Sequence, residues 1–274
     1  MKIAVGIGDK LLHHRPQLPH PTPPGPIPSS QPVNRIGVVW GKRMGSSMAV
    51  RCGGVKGVGV VRPATVEYAA EAVEAIRSGK VIAVPTDTLY GFACDACSVV
   101  SVKRIYEIKG RKLTSPLAIC VGDVSDIERF AVTDHLPVGL LDALLPGPVT
   151  VVLARGESSI LERSLNPGLG SIGVRIPEND FIIEICRGFG SALALTSANL
   201  SGDTSSVCIK DFESLWEHCA YVFDGGQLPR GRAGSTIVDL TKLEKYKIIR
   251  SGSAQEETIA ILERHSLQNE AASS

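Results

Sequence analysis

Residues 81–91 read VIAVPTDTLYG, and this stretch decides how the rest of the chain is interpreted. Its first five residues form a short apolar run rich in β-branched side chains and closed by a proline, which predicts a buried β-strand. The next six residues form a mostly small and polar loop. Because ligands of α/β sheets commonly bind just beyond the end of a strand, we expect a binding site at this loop.

Helical and strand-like segments alternate at short spacing from Thr65 onward. The helix over 99–108 and the apolar strands over 149–153 and 172–176 show the pattern most clearly. This alternation predicts a single α/β domain. Further helices are expected over 66–78, 136–145, 181–187, 212–219 and 256–265, and further strands over 117–121, 192–195, 221–223, 236–240 and 246–249.

The first 66 residues differ from the rest of the chain. They contain nine Lys and Arg and one acid, Asp9, a net charge of +8 against +1 for the whole chain. Eight of the 17 prolines lie between Pro16 and Pro32, without an apolar period that could build a core. We expect a disordered leader over 1–62, a domain over 63–266 and a flexible tail over 267–274. The basic leader resembles an organellar transit peptide, and cytoplasmic, mitochondrial and plastid locations all fit it.

Several classes of protein are excluded by simpler features. The apolar runs are far shorter than the roughly 20 residues of a membrane-spanning helix, so no span is predicted. Seven scattered cysteines favour reduced thiols in an intracellular compartment. The one CxxC pair, Cys94 and Cys97, lacks the second ligand pair of a structural zinc site. Motifs for a P-loop, a dinucleotide fold, a nucleophile elbow and a zinc protease are missing, and we expect neither zinc, flavin nor NAD.

Four polar segments adjoin predicted strands, at 85–91, 109–117, 196–202 and 234–240. Each one alone fits an ordinary turn or helix end. Together with Arg175 and Arg250 at strand ends, they describe a basic cleft rich in hydroxyl and amide groups. Such a cleft suits phosphate chemistry, because Lys and Arg neutralise phosphate oxygens while Ser, Thr and Asn donate orienting hydrogen bonds.

These segments follow the order seen in the YrdC family of L-threonylcarbamoyladenylate synthases, which the chain resembles over residues 65–265. The shared motifs are PTDTLYG, KGR with SPL, LLPGPVT, GVRIP, LTSANLSG, FDGG, GSTIVDL and IIRSG. The resemblance implies a YrdC-like twisted sheet with helices around a large open cavity. It also implies an enzyme that joins L-threonine, bicarbonate and ATP into threonylcarbamoyl-AMP and releases pyrophosphate. The product would serve N6-threonylcarbamoylation of adenosine in tRNAs that read ANN codons.

The resemblance assigns residues to the two larger substrates. The positions implied for L-threonine are Thr88, Arg175, Ser235 and Cys120. Those implied for ATP are Lys109, Arg111, Ser115, Ser171, Leu195, Ser197, Asn199, Ser205 and Arg250. Among them, Lys109, Arg111 and Arg250 are the catalytic candidates. No protein metal ligand is implied, because Mg²⁺ arrives with ATP, and the implied downstream partner is a tRNA threonylcarbamoyltransferase complex.

Two of these residues carry a specific expectation. Several members of the family have histidine where this chain has Cys120, at the end of a predicted strand. Lys109 is predicted at the edge of a polar loop. Replacing Lys109 by Ala is therefore expected to abolish pyrophosphate release with little loss of fold, since such a residue contributes little to a core.

Two other functions stay open on the sequence. A basic concavity can also hold a nucleic-acid backbone, which would fit a non-catalytic module that binds double-stranded RNA or a nucleotide. An enzyme related to dihydroxybutanone-phosphate synthase would share a similar fold. That chemistry needs clustered acidic metal ligands, whereas the loops found here are basic and hydroxylic.

Overall fold

The computed structural model describes residues 59–110, 116–229 and 231–270. The strands in this part of the chain form one mixed β-sheet. The strands are β1 (Val60–Pro63), β2 (Ile82–Val84), β3 (Gly91–Asp95), β4 (Ala118–Cys120), β5 (Val149–Ala154), β6 (Ser171–Arg175), β7 (Leu193–Ser197), β8 (Tyr221–Asp224), β9 (Thr236–Asp239), β10 (Lys245–Arg250) and β11 (Gln268–Asn269). Their order across the sheet is β1-β8-β2-β3-β7-β4-β6-β5-β9-β10-β11. The described residues all fall in one compact unit, which confirms the predicted single α/β domain.

The helices begin and end where the local sequence favours it. Ser98 caps the helix Val99–Ile108 (α2) by accepting a hydrogen bond from the Ser101 backbone N–H. Asn179 caps the helix Asp180–Phe189 (α4) in the same way through the Ile182 backbone N–H. Gly190 ends α4 in the left-handed conformation, with φ of 76°. The α-helices are α1 (Ala69–Arg77), α2 (Val99–Ile108), α3 (Leu140–Leu144), α4 (Asp180–Phe189) and α5 (Gln255–Arg264), and 3₁₀ helices span Val66–Tyr68, Val124–Arg129 and Ile209–His218.

Alternation along the strands separates the core from a cavity. In β6, Ile172 and Val174 enter the larger hydrophobic core. Ser171, Gly173 and Arg175 of the same strand line the cavity instead. A smaller core lies where α1 and α4 pack together. One strand therefore serves packing with one set of residues and a binding site with the other.

The loop predicted to bind a ligand is the connection of a hairpin. β2 and β3 are antiparallel neighbours, with Val84 paired to Gly91, so that residues 85–90 form the turn between them. β3 also pairs with β7, with Gly91 opposite Ser197, which brings the loop beside the start of the LTSANLSG segment. The topology thus unites two motifs that lie far apart in the chain.

The structure corrects both predicted ends of the domain. β1 begins at Val60, inside the predicted leader, because residues 60–63 gain a parallel partner in β8. Residues 267–269 are not a free tail, since Leu267 is buried and β11 pairs with β10. The expected leader over 1–58 lies outside the described residues, and its disorder stays a prediction.

Three other elements differ from expectation. β3 was not predicted, because GFACD has none of the β-branched residues that favour a strand. The segment expected as a helix over 212–219 is a 3₁₀ helix interrupted at Phe212. The helix expected over 136–145 is α-helical only over Leu140–Leu144. None of these three differences changes which strands carry the sequence motifs described above.

Candidate functional site

A cavity of about 710 Å³ opens on the sheet. Its walls come from the loop after β2, from β5, β6 and β7, and from the segments that surround β9 and follow β10. Among the described residues, Arg175, Arg232 and Arg250 line the cavity and no Asp or Glu does. The lining is therefore basic and rich in hydroxyl groups, as expected for a site that binds anionic substrates.

The threonines of the β2–β3 loop fix its conformation. Thr86 Oγ1 donates to the Leu89 carbonyl oxygen at 2.7 Å and accepts from the Thr88 backbone N–H at 3.1 Å. The Thr86 and Thr88 hydroxyl oxygens lie 3.2 Å apart, and both side chains are buried at the cavity wall. The Thr88 hydroxyl is consequently held in one place before any ligand arrives.

Tyr90 joins this loop to the FDGG motif. Its phenol donates to the Gly226 carbonyl oxygen at 2.7 Å and accepts from the Gly225 backbone N–H at 2.9 Å. Burial raises the pKa of Tyr90 to about 12, so the phenol keeps its proton at neutral pH. Next to it, a Cβ on Gly91 would lie 2.8 Å from Leu195 Cδ1 and 3.1 Å from the Thr196 carbonyl oxygen, so a larger residue there would require Leu195 to shift.

Arg175 ends β6 at the cavity and binds the same loop. Its Nη2 donates to Asp87 Oδ1 at 2.6 Å and lies 3.3 Å from Thr88 Oγ1. The ion pair is almost fully buried, with 10% of the Arg175 side chain and 3% of the Asp87 side chain exposed. The guanidinium predicted to grip the threonine carboxylate is thus already oriented by two neighbours.

Ser235 lies between two other polar side chains of the wall. Its hydroxyl oxygen is 2.7 Å from Thr150 Oγ1 of β5. Arg250 Nη2 donates to the Ser235 carbonyl oxygen at 3.0 Å. The segment that enters β9 therefore brings a predicted threonine-site hydroxyl and a predicted phosphate-site arginine together.

Lys109 lies behind the wall and not on it. Lys109 lies directly after α2, and its side chain contacts the end of β7 and the loop that follows it. Its Nζ donates to the carbonyl oxygens of Ser197 at 2.6 Å and Asn199 at 2.8 Å, and to Asn199 Oδ1 at 3.1 Å. Only 2% of Lys109 is exposed. The expectation of a residue at a loop edge that contributes little to the fold is wrong, because these bonds tie the end of α2 to the S-x-N segment.

Asn199 is likewise held inside its loop. Its Oδ1 accepts from Ser197 Oγ at 2.6 Å, and its Nδ2 donates to the Asp203 carbonyl oxygen at 2.7 Å. Ser197 itself reaches the cavity, whereas neither Asn199 nor Lys109 lines it. The structure therefore gives Lys109 and Asn199 a role in shaping the loop around Ser197.

Arg232 is a cavity residue that the sequence did not reveal. It binds the backbone carbonyl of Ser205, a predicted ATP residue that also lines the cavity, and pairs with Asp211 at 3.1 Å. The Val207 backbone N–H and then the Arg232 guanidinium lower the pKa of Asp211 to about 2. No strand or helix contains Arg232. In the sequence, only the closeness of Arg232 to the GSTIVDL motif could have indicated that it belongs to the site.

Cys120 does not reach the cavity. It lies two residues after the cavity residue Ala118, on the same face of β4, but α4 covers this end of the strand. The Cys120 and Cys186 sulfur atoms are 3.5 Å apart and both side chains are buried. The expected contact between Cys120 and L-threonine is therefore wrong for this structure.

Most of the other predicted residues converge on the cavity. Arg111 and Ser115 lie outside the described residues, and their assignments stay predictions. Thr150 was missed, although a polar residue within the apolar run of β5 is a recognisable signal. The residues brought together at the wall are Thr88, Ser171, Arg175, Leu195, Ser197, Ser205, Ser235 and Arg250.

Comparison with known proteins gives one family and several relatives. The family described as Sua5_yciO_yrdC, telomere recombination, matches residues 74–252. The threonylcarbamoyl-AMP synthase of Bos taurus is 47% identical over 201 residues, which is 72% of each chain. The Homo sapiens protein of the same name is 44% identical over 217 residues, 77% of each chain.

Two solved structures share the fold. The P. abyssi Sua5 complexed with L-threonine has a TM-score of 0.66 and 28% identity, over 78% of this chain and 62% of that one. E. coli YciO has a TM-score of 0.62 and 23% identity, over 71% of this chain and 94% of that one. Both likenesses confirm the predicted twisted α/β architecture.

Proposed function

The chain belongs to the Sua5, YciO and YrdC family, and from this membership and the cavity we propose that it is an L-threonylcarbamoyl-AMP synthase. It joins L-threonine, bicarbonate and ATP, and it releases pyrophosphate. The relatives that cover most of the chain are named for this activity. Neither an RNA-binding module nor a sugar-phosphate enzyme has similar support.

One observation carries the proposal: two sets of groups, each suited to one substrate, face a single cavity. Thr88, Arg175 and Ser235 supply hydroxyls and a guanidinium, which suit an amino acid with a hydroxyl and a carboxylate. Ser197 and Arg250 supply a hydroxyl and a cation that suit a triphosphate. Bound together, the two substrates would meet inside the cavity, where proximity alone lowers the barrier.

The reaction needs positioning and charge stabilisation. The deprotonated amine of threonine attacks the carbon of bicarbonate, and loss of water gives a carbamate. A carbamate oxygen then attacks the α-phosphorus of ATP while the bond to the leaving pyrophosphate breaks. Negative charge grows on the phosphate oxygens in this step, and the Arg250 guanidinium stabilises it. The bonds of Lys109 keep Ser197 in place beside the nucleotide, and no covalent enzyme intermediate forms.

ATP enters as its Mg²⁺ complex. The described lining residues offer hydroxyls, amides and guanidinium groups but no carboxylate, which is a poor donor set for a resident divalent cation. The ion is therefore part of the substrate, bound through phosphate oxygens. Arg250 and the Ser197 hydroxyl are the groups that we assign to those phosphate oxygens.

The product is a mixed anhydride, and its activated carbamoyl group goes on to the adenosine of tRNAs that read ANN codons. A tRNA threonylcarbamoyltransferase complex receives it. We propose that the basic leader directs import into mitochondria or plastids, with residence in the cytoplasm as the alternative. Fusing residues 1–66 to a fluorescent protein tests this location, and a purely cytoplasmic signal would contradict import.

The central experiment measures release of labelled pyrophosphate from γ-labelled ATP by the full chain with Mg²⁺. Release that requires both L-threonine and bicarbonate is expected. Arg250→Gln should slow it at least tenfold, since one charge-stabilising contact is worth about 10²-fold or more. If the folded protein binds either ATP or RNA but not both at once, and releases no pyrophosphate, the RNA-binding alternative is favoured.

A further inference from the structure

A buried ion pair lies behind the part of the cavity that the proposed function assigns to L-threonine. Arg175 faces the cavity, whereas Asp87 does not line it. Their 2.6 Å contact joins β6 to the β2–β3 loop. Asp87 can therefore influence a ligand only through the Arg175 guanidinium and through the loop that carries Thr88.

This pair differs from the ion pairs on the surface. Arg187 and Asp123 also form a close pair, but about half of each side chain is exposed, so water competes with their attraction. The Arg175–Asp87 pair is almost fully buried, and among the described residues Asp87 Oδ2 and Arg175 Nε have no hydrogen-bond partner. Buried charges with incomplete partners are costly to keep, which points to a role beyond stability.

Charge selection supplies such a role. The cavity must accept two anions of different charge, the single carboxylate of an amino acid and the polyanionic phosphates of ATP. An isolated buried guanidinium would attract phosphate strongly. With Asp87 beside it, Arg175 keeps donors for a planar carboxylate, while the pair as a whole has no net charge to draw a phosphate.

We propose that Asp87 is a positioning residue that determines specificity: it orients Arg175 and neutralises it, so that this end of the cavity takes a zwitterionic amino acid and rejects phosphate. The proposal rests on the proposed function, since it concerns the threonine end of the same site. Asp87 acts by orienting the Arg175 guanidinium and by balancing its charge, and it need not contact the substrate.

The test uses Asp87→Asn in the full chain and follows binding as well as turnover. Calorimetric titration is expected to show at least a tenfold weaker affinity for L-threonine, the size of effect that follows loss of a buried charged partner. Inorganic phosphate should bind at least about fivefold more tightly and should compete with threonine, because the remaining net charge attracts it. In pyrophosphate release, KM for threonine should rise while KM for ATP stays within about twofold, as expected for contacts confined to one substrate.

Two matched variants separate charge selection from a general loss of structure. Asp87→Glu restores the carboxylate and should keep threonine affinity and reject phosphate as the wild type does. Asp123→Asn makes the same chemical change in the exposed pair and should alter neither affinity. If Asp87→Asn does not fold, Asp87→Ser leaves room for water beside the guanidinium and is expected to show the same two shifts.

The outcomes are distinct. Unchanged threonine affinity in the neutral variants, or weaker threonine binding without phosphate competition, would overturn the proposal. Failure of the wild type to release pyrophosphate would instead overturn the proposed function. The calorimetric comparison of threonine and phosphate still decides the role of Asp87 in that case, because it needs no turnover.

Discussion

At the scale of single residues, Lys109 shows how a charged side chain can hold a loop from inside. Its ammonium has two backbone carbonyls and an amide oxygen within 3.1 Å, which together satisfy its donors in a buried position. The backbone carbonyls at the end of β7 and in the loop after it accept hydrogen bonds from a charged group, and such bonds are stronger than those from a neutral donor. Loop shape and cavity shape are thus linked through one side chain.

Lys109→Ala is expected to lower the free energy of unfolding by about 3 kcal/mol, since it leaves buried acceptors without a donor. It should also reduce pyrophosphate release, because the loop around Ser197 loses its anchor. Urea denaturation and the release assay measure the two effects. The control is Lys103→Ala, an exposed lysine on the same helix. Equal stability of the two variants would contradict the role given to Lys109.

Asp211 makes the stability of the fold depend on pH, and the lowered pKa of its carboxyl gives the direction of that dependence. Its pKa is lowered to about 2 in the fold by the Val207 N–H and then Arg232, against an ordinary value near 4. A lowered pKa stabilises the fold above the ordinary value, and this contribution disappears as pH falls from about 4 to 2. Asp211→Asn should therefore melt at a lower temperature than wild type at pH 7, with the difference closing toward pH 2. A pH-independent difference in melting temperature would argue against this ionic contribution.

At the scale of elements, the turn after β10 depends on one glycine. A Cβ on Gly252 would lie 2.2 Å from the Thr236 backbone nitrogen and 2.5 Å from the Gly234 carbonyl oxygen. The contact is with backbone on both sides, so no flexible side chain can move away. Gly252 thereby fixes the spacing between the end of β10, which carries Arg250, and the entry to β9, which carries Ser235.

Gly252→Ala is expected to destabilise the fold by about 2 kcal/mol or more through this overlap and to reduce activity by displacing Ser235. Gly170→Ala is the matched control, because a Cβ there meets nothing within 4 Å. Thermal unfolding and pyrophosphate release are the measurements. A Gly252→Ala protein as stable and active as Gly170→Ala would show that the two segments move apart freely.

Sequence patterns predicted the elements whose signal is local. β2, β5 and β6 are apolar and β-branched, and α2 has the bounds that its periodicity predicts. β3 was missed because GFACD lacks β-branched residues, and β1 because its partner β8 is distant in sequence. Cys120 was misplaced for a related reason, since alternation along β4 gives the face of a side chain but not the helix that covers it.

At the scale of the whole molecule, the site exists only when the sheet is complete. Its wall residues come from segments between Thr86 and Ser251, and strand neighbours such as β5 and β9 are remote in sequence. Sequence motifs identified most of these wall residues. Their distances from each other, the pairing of Arg175 with Asp87 and the inclusion of Arg232 depend on strand order, which no local pattern encodes.

Ligand binding should therefore stabilise the fold as a unit. At a concentration 100 times its Kd, a ligand that binds only the folded state adds about 2.7 kcal/mol. For a domain of this size that corresponds to a rise in Tm of roughly 5–10 °C. Differential scanning calorimetry with L-threonine should show this rise, and D-threonine, whose stereochemistry misplaces its hydroxyl, serves as control. An equal rise with both would speak against the site.

The edge strand β1 also limits how the polypeptide can be processed. It follows Gly59, where a Cβ would lie 2.5 Å from the Trp216 carbonyl oxygen, so the chain enters the sheet through a gap that fits glycine. A peptidase that trims the leader after import must cut before this point, or the mature protein would lose its glycine entry and β8 its outer neighbour. If the leader is cleaved, the packing around Gly59 and the pairing of β1 with β8 therefore predict a cut upstream of Gly59.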